Sequence, residues 1–352
     1  MPIDTRRGSP SCLFDSAEFP KDYMRTQPSI IILHNQVQKD SPEDVLDILT
    51  QAKWIAQLLD AKGYVTRLVP FSLGTLQGIL EENKKTPLLL FNLVDSIPGE
   101  ETLAYLVPGI LEYLHLPYTG CSFNALFSTT NKLLAKRRMA SKGIDTPFWV
   151  YQEEHGGFVP SNTLRYLIKP VSEDASIGLD DNSLVVSESL QSVQAKIELK
   201  QKDTGKECFA EQFIEGREFT VCMYGSLENP KILAPYEWVF QGFEENHKDK
   251  IITYDAKWTE NTFGYNHIIA NYQTAEEDFP LVENLKIIAR KCWEVFALSG
   301  YARVDFRIDK QNRPWVLEIN GNPSFYGFYH LANEAHVPFE DILETIVQVA
   351  RP

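Results

Sequence analysis

Two apolar tracts near the C-terminus constrain the fold most. Residues 301–309 (YARVDFRID) and 315–323 (WVLEINGNP) each alternate with period two, and Lys310-Gln311-Asn312-Arg313 joins them. Such a pattern reads as a β-hairpin with a four-residue loop. In the first tract Ala302, Val304, Phe306 and Ile308 share the apolar face, and Arg303, Asp305, Arg307 and Asp309 the other. In the second, Trp315, Leu317 and Ile319 read as apolar, with Val316, Glu318 and Asn320 opposite. If Asp309 pairs with Pro314, Asp305 lies across from Glu318 and Arg303 across from Asn320. Cross-strand Cβ atoms lie roughly 4.5–5.5 Å apart, so the two carboxylates repel unless a cation sits between them. An amide oxygen one step along adds a third hard donor, and such a set suits Mg²⁺ completed by water and phosphate. The hairpin therefore reads as a platform for a metal–nucleotide complex. The bland alternative, a surface hairpin with solvated charges, sits poorly with the apolar opposite faces.

At 352 residues the chain has room for two or three domains. A net charge of −14 argues against nucleic-acid binding through bulk charge, while leaving room for a local cationic pocket. Five scattered cysteines without metal-type spacing favour a reducing, cytoplasmic setting. No apolar run approaches the 18 residues of a membrane span, and the polar start lacks a signal-peptide core. Residues 1–28 read as an N-terminal extension. Strands are expected at 29–34, 64–70 and 87–93, with helices at about 42–62, 76–83 and 102–114. Ser41 is the expected N-cap, with Pro42 first in the helix and Asp44 completing the cap. This βαβαβ rhythm indicates a Rossmann-like open sheet over 29–120. A second unit, 121–215, is expected to hold a basic helix at 130–142, strands at 148–152, 164–169 and 208–214, and a helix at 189–200. A third unit, 216–352, follows a hinge at Glu215-Gly216. It holds strands at 218–224 and 232–239, a polar excursion at 241–267, helices at 279–298 and 339–350, and the hairpin.

No glycine-rich phosphate signature is present, so a nucleotide needs another cradle. Lys169 ends an apolar strand and precedes a small-residue loop with Ser176 and Gly178, which together form a plausible phosphate grip. Lys132, early in the basic helix, is a second. Taken singly, either lysine reads as a solvated charge. In 211–218 (EQFIEGRE) a strand leaves one domain and another begins. Exposed backbone at Gln212, Phe213 and Ile214 offers pairing to an adenine edge, and Glu218 offers an acceptor to ribose hydroxyls. Lys257 lies in the long excursion, where a lid would close it over a triphosphate.

In the same order, these tracts resemble the D-alanine–D-alanine ligase family of ATP-grasp enzymes. The resemblance runs over roughly residues 30–339 and is strongest from Phe209 onward. It implies an α/β ATP-grasp fold: a Rossmann-like preATP-grasp domain, a small central α+β domain and a C-terminal α+β domain carrying the metal site. Lys132, Lys169, Ser176, Glu211, Gln212, Phe213, Ile214, Glu218 and Lys257 would contact ATP. Asp305, Glu318 and Asn320 would hold two Mg²⁺ ions (or Mn²⁺), with Glu318 bridging. Arg303, Ser324 and Lys257 would serve the chemistry. A carboxylate would attack the γ-phosphate, and an amine would attack the resulting acyl phosphate. The resemblance also implies a homodimer acting on small carboxylate and amine substrates, without nucleic-acid or membrane partners.

The departures fall where substrates bind. The family's phosphate-loop glycine and serine become Asp174 and Ala175, its lid tyrosine becomes Trp258, and its oxyanion-hole glycine becomes Ser324. Asp95 replaces a histidine. The acidic residue that receives an ammonium has its counterpart at Glu43. An aromatic stretch, Phe325, Tyr326, Phe328 and Tyr329, follows. The reading is thus an ATP-dependent carboxylate–amine ligase whose substrates differ from two D-alanines, with contacts at Trp258, Ala175, Tyr326 and Glu43. The alternatives are a genuine D-alanine–D-alanine ligase of cell-wall synthesis, a non-catalytic nucleotide-binding module, and carboxylation through carboxyphosphate.

Overall fold

Apolar runs punctuated by Pro, Asn and Gly become three parallel strands, β1 (Ser29–His34), β2 (Thr66–Pro70) and β3 (Leu88–Asn92), in the order β2-β1-β3. Every residue of β3 is buried, as expected of a parallel strand covered on both faces. The computed structural model describes residues 28–37, 41, 43–97, 101–156, 164–172, 176, 178–187 and 189–350. Pro42 and Ala175 and the side chains of Glu43 and Asp44 lie outside that set. So does nearly all of the expected extension, and the expected cap between Ser41 and Asp44 falls outside that set too, through the Asp44 side chain.

Helix α1 (Glu43–Ala61) ends at Gly63, whose φ of +88° suits a residue without a Cβ. Helix α2 (Leu73–Asn83) begins at a reciprocal cap between Ser72 and Thr75. The single helix expected at 102–114 is instead a 3₁₀ turn, Glu101–Leu103, followed by α3 (Leu106–Tyr113). Pro108 has no N–H for the Ala104 carbonyl, so it fits only within a fresh first turn. Helix α4 (Phe123–Thr130) was not foreseen, and the basic helix α5 starts only at Lys132, running Lys132–Ser141. Asn131 divides them: its side chain accepts from the Leu134 N–H at 2.9 Å.

The second sheet runs β5 (Glu154–Gly156), β4 (Trp149–Tyr151), β8 (Cys208–Gln212), β6 (Leu164–Pro170) and β7 (Leu184–Ser187). It is backed by α6 (Leu190–Thr204), which Gly205 stops at φ +67°. The third sheet runs β12 (Ile268–Asn271), β11 (Tyr236–Phe240), β9 (Gly216–Gly225), β13 (Gly300–Asp309) and β14 (Pro314–Asn320), with β10 (Pro230–Ile232) also on β9. The strand expected at 232–239 is thus two strands; Pro235 lies between them and has no ladder donor. Two short helices, α7 (Tyr254–Trp258) and α8 (Phe263–His267), interrupt the polar excursion. Helices α9 (Phe279–Phe296), α10 (Tyr326–Glu334) and α11 (Phe339–Gln348) complete the chain, and the aromatic stretch after Ser324 is thereby helical.

Two shared cores place these layers around one cleft. Phe91 of the first sheet packs with Tyr301, Phe325 and Phe328. Ala125, Ala135 and Met139 of α4 and α5 pack with Trp293 of α9, Val304 of β13 and Ile319 of β14. The hairpin departs from simple alternation. Ile308, rather than Asp309, pairs with Pro314, and the register shifts between Asp305 and Phe306. Leu317 is the extra residue of a β-bulge, so Val316 joins Ile319 in the core and Leu317 turns to the pocket. The two offsets cancel, leaving Asp305 across from Glu318 and Arg303 across from Asn320.

Gly300 starts β13 at φ +73°, and a Cβ there would lie 2.6 Å from the backbone of Gly120. Gly300→Ala is expected to lower stability by ~1–3 kcal/mol, read as a reduced urea midpoint at unchanged slope. An unaltered midpoint would show that the junction yields freely.

Candidate active site

The bulged hairpin forms the floor of a cleft of about 610 Å³, within the size range of small-molecule sites. Asp305 Oδ1 accepts from Thr220 Oγ1 at 2.7 Å, and its Oδ2 accepts from Arg303 Nε at 3.1 Å. Thr220 in turn accepts from Trp238 Nε1 at 3.2 Å, so β9 and β11 aim the carboxylate. Asn320 Oδ1 accepts the Asn322 N–H at 2.8 Å, which fixes the amide and leaves its second lone pair free to face the cleft. Lys132 Nζ lies 3.5 Å from Glu318 Oε2. Burial alone would push the Glu318 carboxyl up, but Lys132, Arg303, Lys169 and Lys257 outweigh it and hold it at about 2. The donors are therefore two carboxylates, Glu318 held ionised, and a carboxamide, all hard oxygens, and they fit Mg²⁺. Among the described residues no group of three or more His, Cys, Asp or Glu could hold a metal, and the Asn320 amide is the third oxygen beside the two carboxylates.

Behind the floor lies a buried ion triad. Glu211 on β8 is 2% exposed. Its Oε1 accepts from Lys169 Nζ at 2.9 Å, and its Oε2 lies 2.7 Å from Lys136 Nζ. Lys136, wholly buried, also donates to Thr146 Oγ1 at 2.7 Å. Burial pulls the Lys136 ammonium down to about 8 despite Glu211. The same burial pushes Glu211 up, yet the two lysines more than reverse it and leave its carboxyl lowered. The sequence reading grouped Lys136 with the basic helix; its place one turn after Lys132 was the available signal.

Beyond β8 the backbone of Gln212, Phe213 and Ile214 borders the cleft. The Phe213 ring has the Arg165 guanidinium at 5.1 Å and that of Arg307 at 4.9 Å from its centroid. Arg307 donates from Nη1 to Glu218 Oε2 at 3.0 Å and from Nε to the Ile214 carbonyl at 2.9 Å. Burial raises the Glu218 carboxyl, offset in part by Arg307. Arg307 shares a strand face with Asp305, and that alternation was the only sequence trace of its role.

Ser176 has a left-handed backbone, φ +65°, and donates from Oγ to the Ile252 carbonyl at 2.9 Å. The Tyr254 N–H donates to the Leu179 carbonyl at 3.2 Å. These two bonds fasten the loop after Lys169 to the segment leading into α7. Lys257, half-buried on α7, has its ammonium lowered by burial and then by Arg303. Trp258 follows it along the cleft wall.

On the opposite wall the Tyr326 hydroxyl donates to Asp47 Oδ1 at 3.0 Å, and Gln51 Nε2 donates to Asp47 Oδ2 at 2.7 Å. Gln51 Oε1 accepts the Phe325 N–H at 2.9 Å, which ties α1 to the loop that carries Ser324 into the cleft. Asp95 accepts from Asn35 Nδ2 at 2.5 Å. Of the aromatic residues expected to wall the pocket, Trp258 and Tyr326 do so. Phe325 and Phe328 are fully buried in the core, and Tyr329 packs edge-on against Trp54. Phe325, at the helix N-cap, and Phe328 turn inward, while Tyr329 stays exposed beside Trp54. Tyr236, Trp238 and Tyr272, not singled out in the sequence, line the cleft instead.

A family model described as "D-ala D-ala ligase C-terminus" matches residues 151–348. The D-alanine–D-alanine ligase of Carboxydothermus hydrogenoformans is 30% identical over 256 residues, covering 69% of this chain and 76% of that protein. That of Bordetella pertussis is 28% identical over 225 residues, covering 62% of this chain and 64% of that protein. The solved D-alanyl-alanine synthetase A of Vibrio cholerae superposes with a TM-score of 0.68 at 16% identity, covering 92% of this chain and 98% of that one, a likeness of fold.

The triad sets a stability signature. Lys136 titrates at about 8 in the folded chain against 10.5 as its ordinary value. Between these values the unfolded chain binds the extra proton, so this group makes stability rise with pH. Urea midpoints from pH 7.5 to 10 are expected to rise for the parent relative to Lys136→Met. Parallel pH curves for the two proteins would contradict the placement of this lysine.

Proposed function

The chain belongs to the D-alanine–D-alanine ligase family, and on that premise we propose that it joins a carboxylate to an amine using ATP, on substrates bulkier than two alanines. Membership makes it an ATP-grasp ligase, an enzyme that forms C–N bonds.

One observation carries the reading: five cations gather at the cleft floor of a chain of net charge −14. Lys132, Lys169, Lys257, Arg303 and Arg307 line it against Glu211, Glu218, Asp305 and Glu318, with Lys136 behind. Such a floor favours a polyanion, and the facing carboxylates with an amide favour one that brings divalent metal. In this reading Lys132, Lys169 and Lys257 grip the phosphates, with Ser176 contributing through its backbone while its hydroxyl holds the Ile252 carbonyl. Backbone at Gln212–Ile214 takes the adenine edge, with Glu211 behind it, and Glu218 the ribose. Asp305, Glu318 and Asn320 hold two Mg²⁺ ions, which when bound offset charge on the phosphate oxygens.

Arg303 stands over the same floor and stabilises the phosphoryl group in transit and the later oxyanion, with the Ser324 N–H as a further donor. The segment around α7 excludes water, so that an acyl phosphate meets the amine rather than solvent. The lysines orient the nucleotide and exchange no proton. Much of the acceleration is then orientation of two poor reactants.

The substrate reading is supported by Tyr236, Trp238 and Tyr272 on one side of Arg303 and by Trp258 and Tyr326 nearby. Aromatic walls reward apolar bulk beyond a methyl group. Ala175 and Glu43 complete the substrate set through the family resemblance. Homodimer formation and a cytoplasmic setting belong to the same reading. No helix of the described residues is long and apolar enough to cross a membrane.

The test is a screen of amino-acid and amine pairs that reads ADP and product mass together. ADP with a condensed product from a bulky apolar pair is expected. D-alanine alone reacting as well as any bulkier pair would refute the substrate reading, and silence from every pair would refute the ligase. In the same assay Asp305→Asn is expected to lose roughly 100-fold or more in kcat; a pure nucleotide binder would have no turnover to lose.

A further inference from the structure

Lys136 has no obvious occupation at the cleft surface. It does not line the cleft, and its side chain is 1% exposed. Removing an ammonium from water costs several kcal/mol, and one carboxylate already has Lys169 as a partner. A carboxylate that served only to neutralise Lys169 would need no second lysine. With Lys136 present, Glu211 is divided: Oε1 at 2.9 Å from Lys169 and Oε2 at 2.7 Å from Lys136. The unit carries one net positive charge, and of its two lysines Lys169 lines the cleft, beside Glu211, while Lys136 does not. Thr146 fixes the other end by accepting from Lys136 at 2.7 Å.

We infer that Lys136 is a positioning residue that occupies half of the Glu211 carboxylate, so that Lys169 stays available to an anionic phosphate group in the cleft. This rests on the reading of the cleft as a nucleotide site. Without Lys136, Glu211 and Lys169 close into a neutral pair and the phosphate loses its cation. Without both Lys136 and Glu211, Lys169 is released again. The expected pattern is therefore loss in the single variant and recovery in the double, which a structural role alone would not produce. Helix α5 makes the arrangement possible. It projects Lys132 and Lys136 one turn apart, the first toward Glu318 of the third sheet and the second toward Glu211 of the second.

Titration calorimetry with Mg-ADP on the full chain tests this. Lys136→Met should weaken binding on the order of tenfold, the loss of one charge-assisted contact. Lys136→Met with Glu211→Gln should bind more tightly than Lys136→Met alone. Thr146→Val, a milder change that keeps the lysine, should weaken binding in the same direction by a smaller factor. If Lys136→Met fails to fold, Thr146→Val alone decides, and unchanged affinity there overturns the inference. Parent-like binding by Lys136→Met, or a double variant no better than the single, also overturns it. A parent that binds no Mg-ADP would instead overturn the nucleotide reading itself, so the two failures are distinct.

Discussion

Two acids placed opposite each other on neighbouring strands set the terms for the rest of the cleft. Asp305 and Glu318 face across β13 and β14, a pairing that destabilises a sheet unless cations surround it. The cations come from separate parts of the chain. Arg303 lies on the same strand, Lys132 at the start of α5 and Lys257 on α7. The charge balance at the floor therefore exists only when helices and strands distant in sequence have docked. Fold and site are specified by the same contacts, and a misplaced α5 would leave Glu318 buried beside Asp305 with fewer cations.

The same logic reconciles an acidic chain with an anion-binding cleft. Net charge governs long-range repulsion, whereas a ligand within a few ångströms of the floor responds to the groups it touches. Here three of the four acids at the floor are each held by a donor. Glu211 is shared by two lysines, Glu218 accepts from Arg307, and Asp305 accepts from Thr220 and Arg303. Their charge is largely spent locally, and the outward-facing cations are what an incoming group meets.

Much of the hairpin was legible in sequence because period-two alternation is strong there and the polar face is unusually rich. Its bulge was not, since an inserted residue leaves no mark when Val316, Leu317 and Ile319 are all apolar; the site register survived only because the turn and the bulge offset each other. The aromatic run after Ser324 misled for a related reason. Composition reports that Phe325, Tyr326, Phe328 and Tyr329 are aromatic, and only the helix decides which of them turn inward. Tyr236, Trp238 and Tyr272 escaped notice because Tyr236 and Trp238 lie on β11 and Tyr272 just beyond β12, and only the pairing of those strands brings them together. Lys136 was visible as a basic residue, but burial was not predictable from a helix whose lysines and arginines point in several directions.

The lid makes the last connection between local backbone and chemistry. Ser176 adopts a left-handed conformation that a residue with a Cβ seldom holds, and its hydroxyl is spent on the Ile252 carbonyl. A strained residue persists where its surroundings over-determine it, and here the Leu179–Tyr254 backbone bond supplies the second constraint. The loop beyond Lys169 and the segment bearing Lys257 are consequently joined at two points. The segment bearing Lys257 is thus held beside the strand that carries Lys169. A cleft built this way presents its cations as a set, which is what a ligand with several linked phosphates requires and a single inorganic anion does not.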